Sequence, residues 1–227
     1  MFIISFDIAI KSLAVAILET DNEWIIKLQI ANDNTDMYKK LKEVNNVINN
    51  IIKPIYLDVI DLIPNKKVKE TDVLLRASRL KGFLTMIDEK IKNYDNVKIL
   101  LEYQMGANDL SRNICSQILY HFADTDSNYS AANTNSNNTI KKKYDIEIVG
   151  PSLKNKVNLV KDYSEFTKKY SNNYNANKAH SKCNFLYWIN LYGYNYLIKN
   201  IKKKNLDDIS DAFNMGLAWF YMIFSRR

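Results

Sequence analysis

Four carboxylates stand where acids are not expected. Asp7 closes the apolar run FIISFDI, Glu102 closes VKILLE, and Asp208 and Asp211 stand three apart in NLDDISDAFNMGLAWFYMIF. That spacing puts Asp208 and Asp211 on one helix face about one turn apart, with Asp207 displaced by ~100°. Asp207 reads as an N-cap, and acids in a first turn suit the helix macrodipole. Asp211 lies past the cap, directly before Ala212 and Phe213. Taken singly, each acid reads equally well as a solvated strand end or as helix decoration. Taken together they suggest one site. If the first and fourth strands are parallel neighbours, their C-terminal ends meet and set Asp7 beside Glu102. A helix bringing Asp208 and Asp211 to that edge completes the cluster. Such a cluster repels itself, since like charges raise one another's pKa. Two Mg²⁺ or Mn²⁺ ions ~3.5 to 4 Å apart would relieve the repulsion and supply the chemistry of phosphodiester hydrolysis.

The elements that must position these acids follow from hydrophobic periodicity. Residues 2–8, 13–18 and 24–30 are short, β-rich apolar runs joined by hairpin-sized connectors, which predicts an antiparallel meander. Apolar residues at helical spacing predict helices over 36–52, ending before Pro54, and over 70–92. A strand over 97–102 follows, then a helix capped by Asn108 or Asp109, and a strand over 144–149 stopped by Gly150-Pro151. The segment to Asn175 promises little regular structure, and helices over 176–200 and 207–224 close the chain. Residues 123–143 are too poor in apolar side chains to pack and read as a polar surface insertion. The expected architecture is one mixed α/β layer domain over 1–227 with a partly parallel sheet.

Charge narrows the partner. Residues 141–204 hold 14 Lys against 4 acids, whereas the remainder holds 18 basic and 21 acidic residues. The positive excess is regional, as a nucleic-acid footprint would be, with a solvated basic face as the alternative. Cys115 and Cys183 are too few and too far apart for a disulfide scaffold, and two His and two Cys argue against a zinc cluster. No apolar run approaches the ~20 residues that span a bilayer, and the N-terminus lacks the basic region of a signal peptide, so a soluble intracellular protein is expected.

The stretches SFDIAIKSLAVAILE, LLEYQMGANDLS and NLDDISDAFNMGLAW resemble the three acidic motifs of RuvC-like Holliday-junction resolvases in the RNase H superfamily, most closely those of poxviruses. The likeness spans the chain outside the stretches near 31–60, 123–143 and 152–173. It implies an RNase H-like sheet, a three-strand meander plus parallel strands flanked by helices. It places the family's four metal-binding carboxylates, with two Mg²⁺ (or Mn²⁺) per site, on Asp7, Glu102, Asp208 and Asp211. It also implies a catalytic basic residue, which the similar stretch YNANKAHSKCNFLYWI puts at Lys178, with Lys182 as second choice and Lys154 or Lys156 as other counterparts. Lys11, Lys154, Lys156, Lys178 and Lys182 are the expected DNA contacts. The family usually has Gly two residues after its first Asp, where this chain has Ala9.

The resemblance further implies in-line hydrolysis leaving a 5′ phosphate, paired symmetric nicks in a four-way junction, a homodimer to make them, and action in the host cytoplasm. The aromatic face around Phe185, Tyr187, Trp188 and Tyr192 is available to core or dimer. Two other readings stay open: a related metal nuclease cutting flaps or RNA:DNA hybrids, and an inactive module that binds branched DNA. An actin-like ATPase or sugar kinase needs glycine-rich phosphate loops, and the chain has 5 Gly in all.

Overall fold

The structure, a computed structural model, describes residues 1–21, 51–64, 73–103, 109–131, 144–157, 159 and 163–225, with side chains excepted at 124–131 and 223–225. Its main elements are β1 (Phe2–Ile8), β2 (Ser12–Thr20), β3 (Ile52–Asp61), α1 (Val73–Ile91), β4 (Val97–Glu102), α2 (Asp109–Ala131), β5 (Tyr144–Val149), α3 (Tyr163–Lys169), α4 (Asn173–Leu191) and α5 (Leu206–Ser225). A short 3₁₀ turn, Leu153–Lys156, follows β5.

The five strands form one sheet in the order β3-β2-β1-β4-β5. β1 runs antiparallel to β2 and parallel to β4; β2 and β3 are antiparallel, and β4 and β5 parallel. This is the RNase H-like mixed sheet expected from the sequence. β1 is central and buried along all seven residues, which explains its continuous apolar run. Its odd residues face α4 and α5, where Ile3, Ala14, Ala16 and Leu100 meet Phe185, Phe213 and Phe220. Its even residues face α1 and α2, where Phe6 and Ile8 meet Leu80, Phe83, Ile118 and Phe122. The sheet is therefore sandwiched, and both faces share the edge at which β1 and β4 end.

α5 lies unusually close to the sheet. Ser5 Oγ donates to the Ala212 carbonyl at 2.6 Å, and a Cβ placed on Gly216 would lie 2.9 Å from Leu18 Cδ1 and 3.0 Å from Ser5 Oγ. A second tie holds the same helix to the other half of the sheet. Trp219 Nε1 donates to Glu147 at 2.9 Å, and buried Lys98 pairs with Glu147 at 2.8 Å and Asp145 at 3.0 Å.

Several boundaries differ from expectation. Residues 24–30 and nearly all of 36–52 lie outside the described residues, but Ile52, expected to end a helix, instead opens β3. The strand that completes the meander is thus 52–61, within a stretch treated as an insertion. Pro54 hid it; β3 is an edge strand, where a missing ladder donor is tolerated, and the register shifts beside that proline. Helix α2 runs on to Ala131 into the polar stretch assigned to the insertion. α4 stops at Leu191 rather than Asn200, because Gly193 takes φ 76°, a left-handed conformation that ends a helix. Asp207 is not the cap of α5, which begins one residue earlier; it lies in the first turn and pairs with Lys182.

The two helix glycines should respond oppositely to substitution. Gly216→Leu should lower stability by about 1–3 kcal/mol through overpacking against Ser5 and Leu18. Gly82→Ala, on an exposed face of α1 with nothing near its Cβ, should raise stability by up to about 1 kcal/mol. Urea unfolding of the two variants checks both signs.

Candidate metal centre

Parallel pairing of β1 with β4 matches Phe6 with Leu101, and the next step along both strands brings Asp7 to Glu102. Their side chains share a hydrogen bond. From above, the first turns of α5 deliver Asp208 and Asp211. Asp211 is 2% exposed; its Oδ1 accepts from Ser181 Oγ at 2.6 Å, and Asn214 Nδ2 donates to the same hydroxyl at 2.9 Å. Asp208 Oδ2 accepts from Ser12 Oγ at 2.9 Å, at the start of β2. Asp208 and Asp211 are therefore each aimed by a hydroxyl on a different element.

At the centre of the cluster is an ammonium group. Lys154 Nζ lies 2.8 Å from Asp211 Oδ2, 3.0 Å from Glu102 Oε1 and 3.3 Å from Asp7 Oδ1. Lys178 Nζ lies 2.8 Å from the same Asp211 oxygen and 3.7 Å from Asp208. Lys154 reaches in because Gly150-Pro151 ends β5 at the carboxylate edge and the 3₁₀ turn, anchored by buried Leu153, folds back beneath α5. This turn falls in a stretch outside the family likeness seen in the sequence, yet it contributes a central side chain of the cluster.

The other expected basic residues are peripheral. Lys182 is held by Asp207 at 2.9 Å; Lys156 lies away from the acids, with its Nζ 3.7 Å from Met222 Sδ; and Lys11 is exposed on the β1–β2 turn at the rim. In the aromatic face, Phe185 and Trp188 are core, Tyr192 packs on Trp188 at 4.8 Å between centroids, and Tyr187 is exposed. Ser5, Ser12, Ser181 and Asn214 are contributors that the sequence analysis missed. The legible signal is periodic: Asn214 is three residues after Asp211, and Ser181 three after Lys178, each polar on a buried helix stripe.

Four carboxylates face two ammonium groups, and the surplus negative charge acts on the acids' hold on their protons. Burial, with Asp211 and Glu102 adding repulsion, pushes the Asp7 carboxyl up to about 8 despite Lys154. Burial and Asp7 likewise raise Asp208 against the pull of Ser12 and Lys178. Burial works against ionised Asp211 too, but Lys154 and Lys178 outweigh it and hold that carboxyl below its usual range. Both lysines are driven upward: burial opposes their charge, but the facing carboxylates prevail.

Among the described residues no group of three or more acids, histidines or cysteines is already arranged to hold a metal ion. The donor set nevertheless fits a hard divalent ion, since it is all carboxylate oxygen. The Lys154 ammonium, gripped by three of these acids, marks where positive charge is favoured. Asp7, Glu102, Asp208 and Asp211 are the residues that would hold such ions.

Sheet order and acidic edge together define a mixed α/β protein with a carboxylate cluster where its parallel strands β1 and β4 end. Residues 152–223, which carry Lys154, Lys178, Asp208 and Asp211, match the family model described as Poxvirus A22 protein. The crystal structure of the fowlpox virus Holliday junction resolvase has the same fold, with 22% identity, a TM-score of 0.52, and 98% of this chain and 99% of that one covered. RuvC of Thermus thermophilus in complex with a Holliday junction substrate aligns at 10% identity and a TM-score of 0.45 over 98% of this chain and 96% of that one. No curated protein matches the sequence. The resemblance to poxvirus resolvases read from the acidic motifs is thus met again in the family model and in the fold.

The raised carboxyl predicts a pH signature in metal-free buffer. Folded Asp7 keeps a proton to about 8 that the unfolded chain releases near 3.8. Its contribution to stability is therefore full below the unfolded value and is lost as pH rises through 8. With EDTA present, the melting temperature of the wild type should fall between about pH 5 and 8. Asp7→Asn, which mimics the protonated acid, should flatten that fall; an unchanged slope would show that Asp7 ionises normally.

Proposed function

We propose that this protein is a metal-dependent endonuclease that resolves four-way DNA junctions by paired, symmetric nicks leaving 5′ phosphates. The observation that carries the reading is the convergence of Asp7, Glu102 and Asp211 on one cation, with Asp208 beside them, at the edge where parallel β1 and β4 end. The fold shared with the fowlpox resolvase supports the choice of substrate. Divalent ions bound by these carboxylates would polarise the phosphodiester and generate the attacking hydroxide at neutral pH.

The chain's own groups divide the remaining work. Ser181 and Asn214 hold Asp211, and Ser12 holds Asp208, so that their oxygens need no reorganisation when substrate arrives. Asp7 must lose its proton to serve as a ligand, and ion binding should therefore release one. Lys178, on a helix and half-buried, would steady charge developing on the phosphate oxygens. Lys154 neutralises the cluster in the metal-free protein. Once divalent ions supply that charge, its ammonium is free to meet a phosphate oxygen. Lys11, Lys156 and Lys182 at the rim provide sequence-independent phosphate contacts.

Two cuts on opposed strands require two such edges related by a two-fold axis, hence a homodimer. Among the described residues no helix is long and apolar enough to cross a membrane. For the place of action, it is the poxvirus family match that favours the host cytoplasm.

The direct test is the purified protein on a labelled four-way junction with Mg²⁺ or EDTA. Paired symmetric nicks that need Mg²⁺ are expected; preferential cutting of flaps or RNA:DNA hybrids would move the protein to another branch of the superfamily. Asp211→Asn and Glu102→Gln should each reduce nicking by at least about 10³-fold, a loss of ~4 kcal/mol in transition-state stabilisation, while junction binding persists. Lys178→Ala should slow cleavage by about 10²-fold, within the range for one lost charge-stabilising donor.

A further inference from the structure

Lys154 is the side chain on which three of the acids converge, yet it stands on a short 3₁₀ turn, Leu153–Lys156, rather than on a long helix or a strand. The start of that turn is held by the backbone and the core: Leu153 is buried, and its N–H donates to the Gly150 carbonyl at 3.0 Å. Its far end is held by a side chain. Asn184 of α4, 1% exposed, donates from Nδ2 to the Val157 carbonyl at 2.8 Å and accepts at Oδ1 from Leu159 N at 3.0 Å. One carboxamide thus grips the chain leaving the turn twice, once as donor and once as acceptor.

The grip has a fixed orientation. Asn184 Nδ2 also lies 3.1 Å from His180 Nε2; an amide nitrogen only donates, so the ring nitrogen accepts. Turning the carboxamide over would set its NH₂ against the Leu159 N–H and its oxygen against the Val157 carbonyl, so the three contacts admit a single arrangement. His180 is 1% exposed and packs edge-on against Tyr163 and Phe166 of α3, with ring centroids 5.5 and 5.1 Å away. A satisfied polar group this deeply buried is rigid, because each bond it would lose has no water to replace it.

Its place on α4 ties it to the acids. Lys178, Ser181 and Asn184 follow at three-residue intervals and are neighbours along the helix surface. Lys178 bonds Asp211 Oδ2 at 2.8 Å and Ser181 bonds Asp211 Oδ1 at 2.6 Å, while Asn184 holds the turn whose Lys154 reaches the same Oδ2 at 2.8 Å. We propose that Asn184, oriented by His180, is a positioning residue for Lys154, so that α4 places both ammonium groups of the cluster, Lys178 directly and Lys154 through the 3₁₀ turn. The consequence for ion binding rests on the proposed metal-dependent nuclease; the placement of Lys154 does not.

The first test compares the full chain with Asn184→Ala in EDTA, using an amine-acylating reagent and mass spectrometry to follow each lysine. Lys154 should be modified about tenfold faster in the variant, while Lys156 on the same turn and buried Lys98 keep their wild-type rates. If Lys98 is released as well, the fold has loosened generally, and Asn184→Ser, small and still polar, takes the place of Asn184→Ala with the same expectations. Release of Lys98 in both variants makes Asn184 a purely structural residue and overturns the proposal. Mn²⁺ affinity without DNA is the second readout. Lys154→Met removes an ammonium that competes with the ions and should tighten binding about tenfold. Asn184→Ala should tighten it about threefold alone and have no effect when combined with Lys154→Met. An equal effect in both backgrounds, or an unchanged rate of Lys154 modification, overturns the proposal. Faster modification of Lys154 in a protein that binds no Mn²⁺ sustains the placement and removes the metal-site reading instead.

Discussion

Four carboxylates in one largely buried edge repel each other, and every feature of the site answers that repulsion. A carboxylate pair at close range cannot stay fully ionised without nearby positive charge. Here Lys154 touches three of the acids and Lys178 reaches the fourth. Two charges against four leave a deficit, and Asp7, at the centre of the sheet, registers it by holding its proton. A core built for stability alone would have no reason to assemble such a group. Replacing a buried charged cluster with apolar residues is often neutral or stabilising, so its presence points to a ligand rather than to folding.

The sheet and α5 make the cluster possible by removing freedom from the backbone. β1 and β4 fix Asp7 and Glu102 side by side through parallel register, which no side-chain motion can undo. α5 could in principle slide over the sheet, but Ser5 under the Ala212 carbonyl and Gly216 against Leu18 pin it at the level of β1. The Trp219–Glu147–Lys98 chain pins it again over β5. Asp208 and Asp211 are therefore placed by packing further along the same helix. The far face carries α1 and α2, whose Leu80, Phe83, Ile118 and Phe122 meet Phe6 and Ile8 of β1.

Much of this is legible from residue types. Strands 97–102 and 144–149 fall where their apolar runs begin and end, and each has a carboxylate or a Gly-Pro stop to mark it. The four acids can be gathered from their positions in the chain. A charge that ends a buried strand, or a second acid inside an apolar helix, is too costly to bury without a shared purpose. What resists reading is equally physical. β3 contains Pro54 and alternates weakly, since an edge strand faces both core and solvent, so neither period nor breaker announces it. Lys154 looks like one of many lysines, because only the fold back of the 3₁₀ turn after β5 brings it among the acids. Ser181 and Asn214 gain meaning only from Asp211 between them.

A divalent-cation site at the carboxylate edge requires Lys154 to give way. Crystals grown in EDTA and then soaked in Mn²⁺, compared by anomalous diffraction, test it most directly. Two anomalous peaks among Asp7, Glu102, Asp208 and Asp211, with the Lys154 ammonium withdrawn from those acids, are the predicted result. An edge without a peak, and Lys154 still bridging Asp7, Glu102 and Asp211 at saturating Mn²⁺, would contradict it.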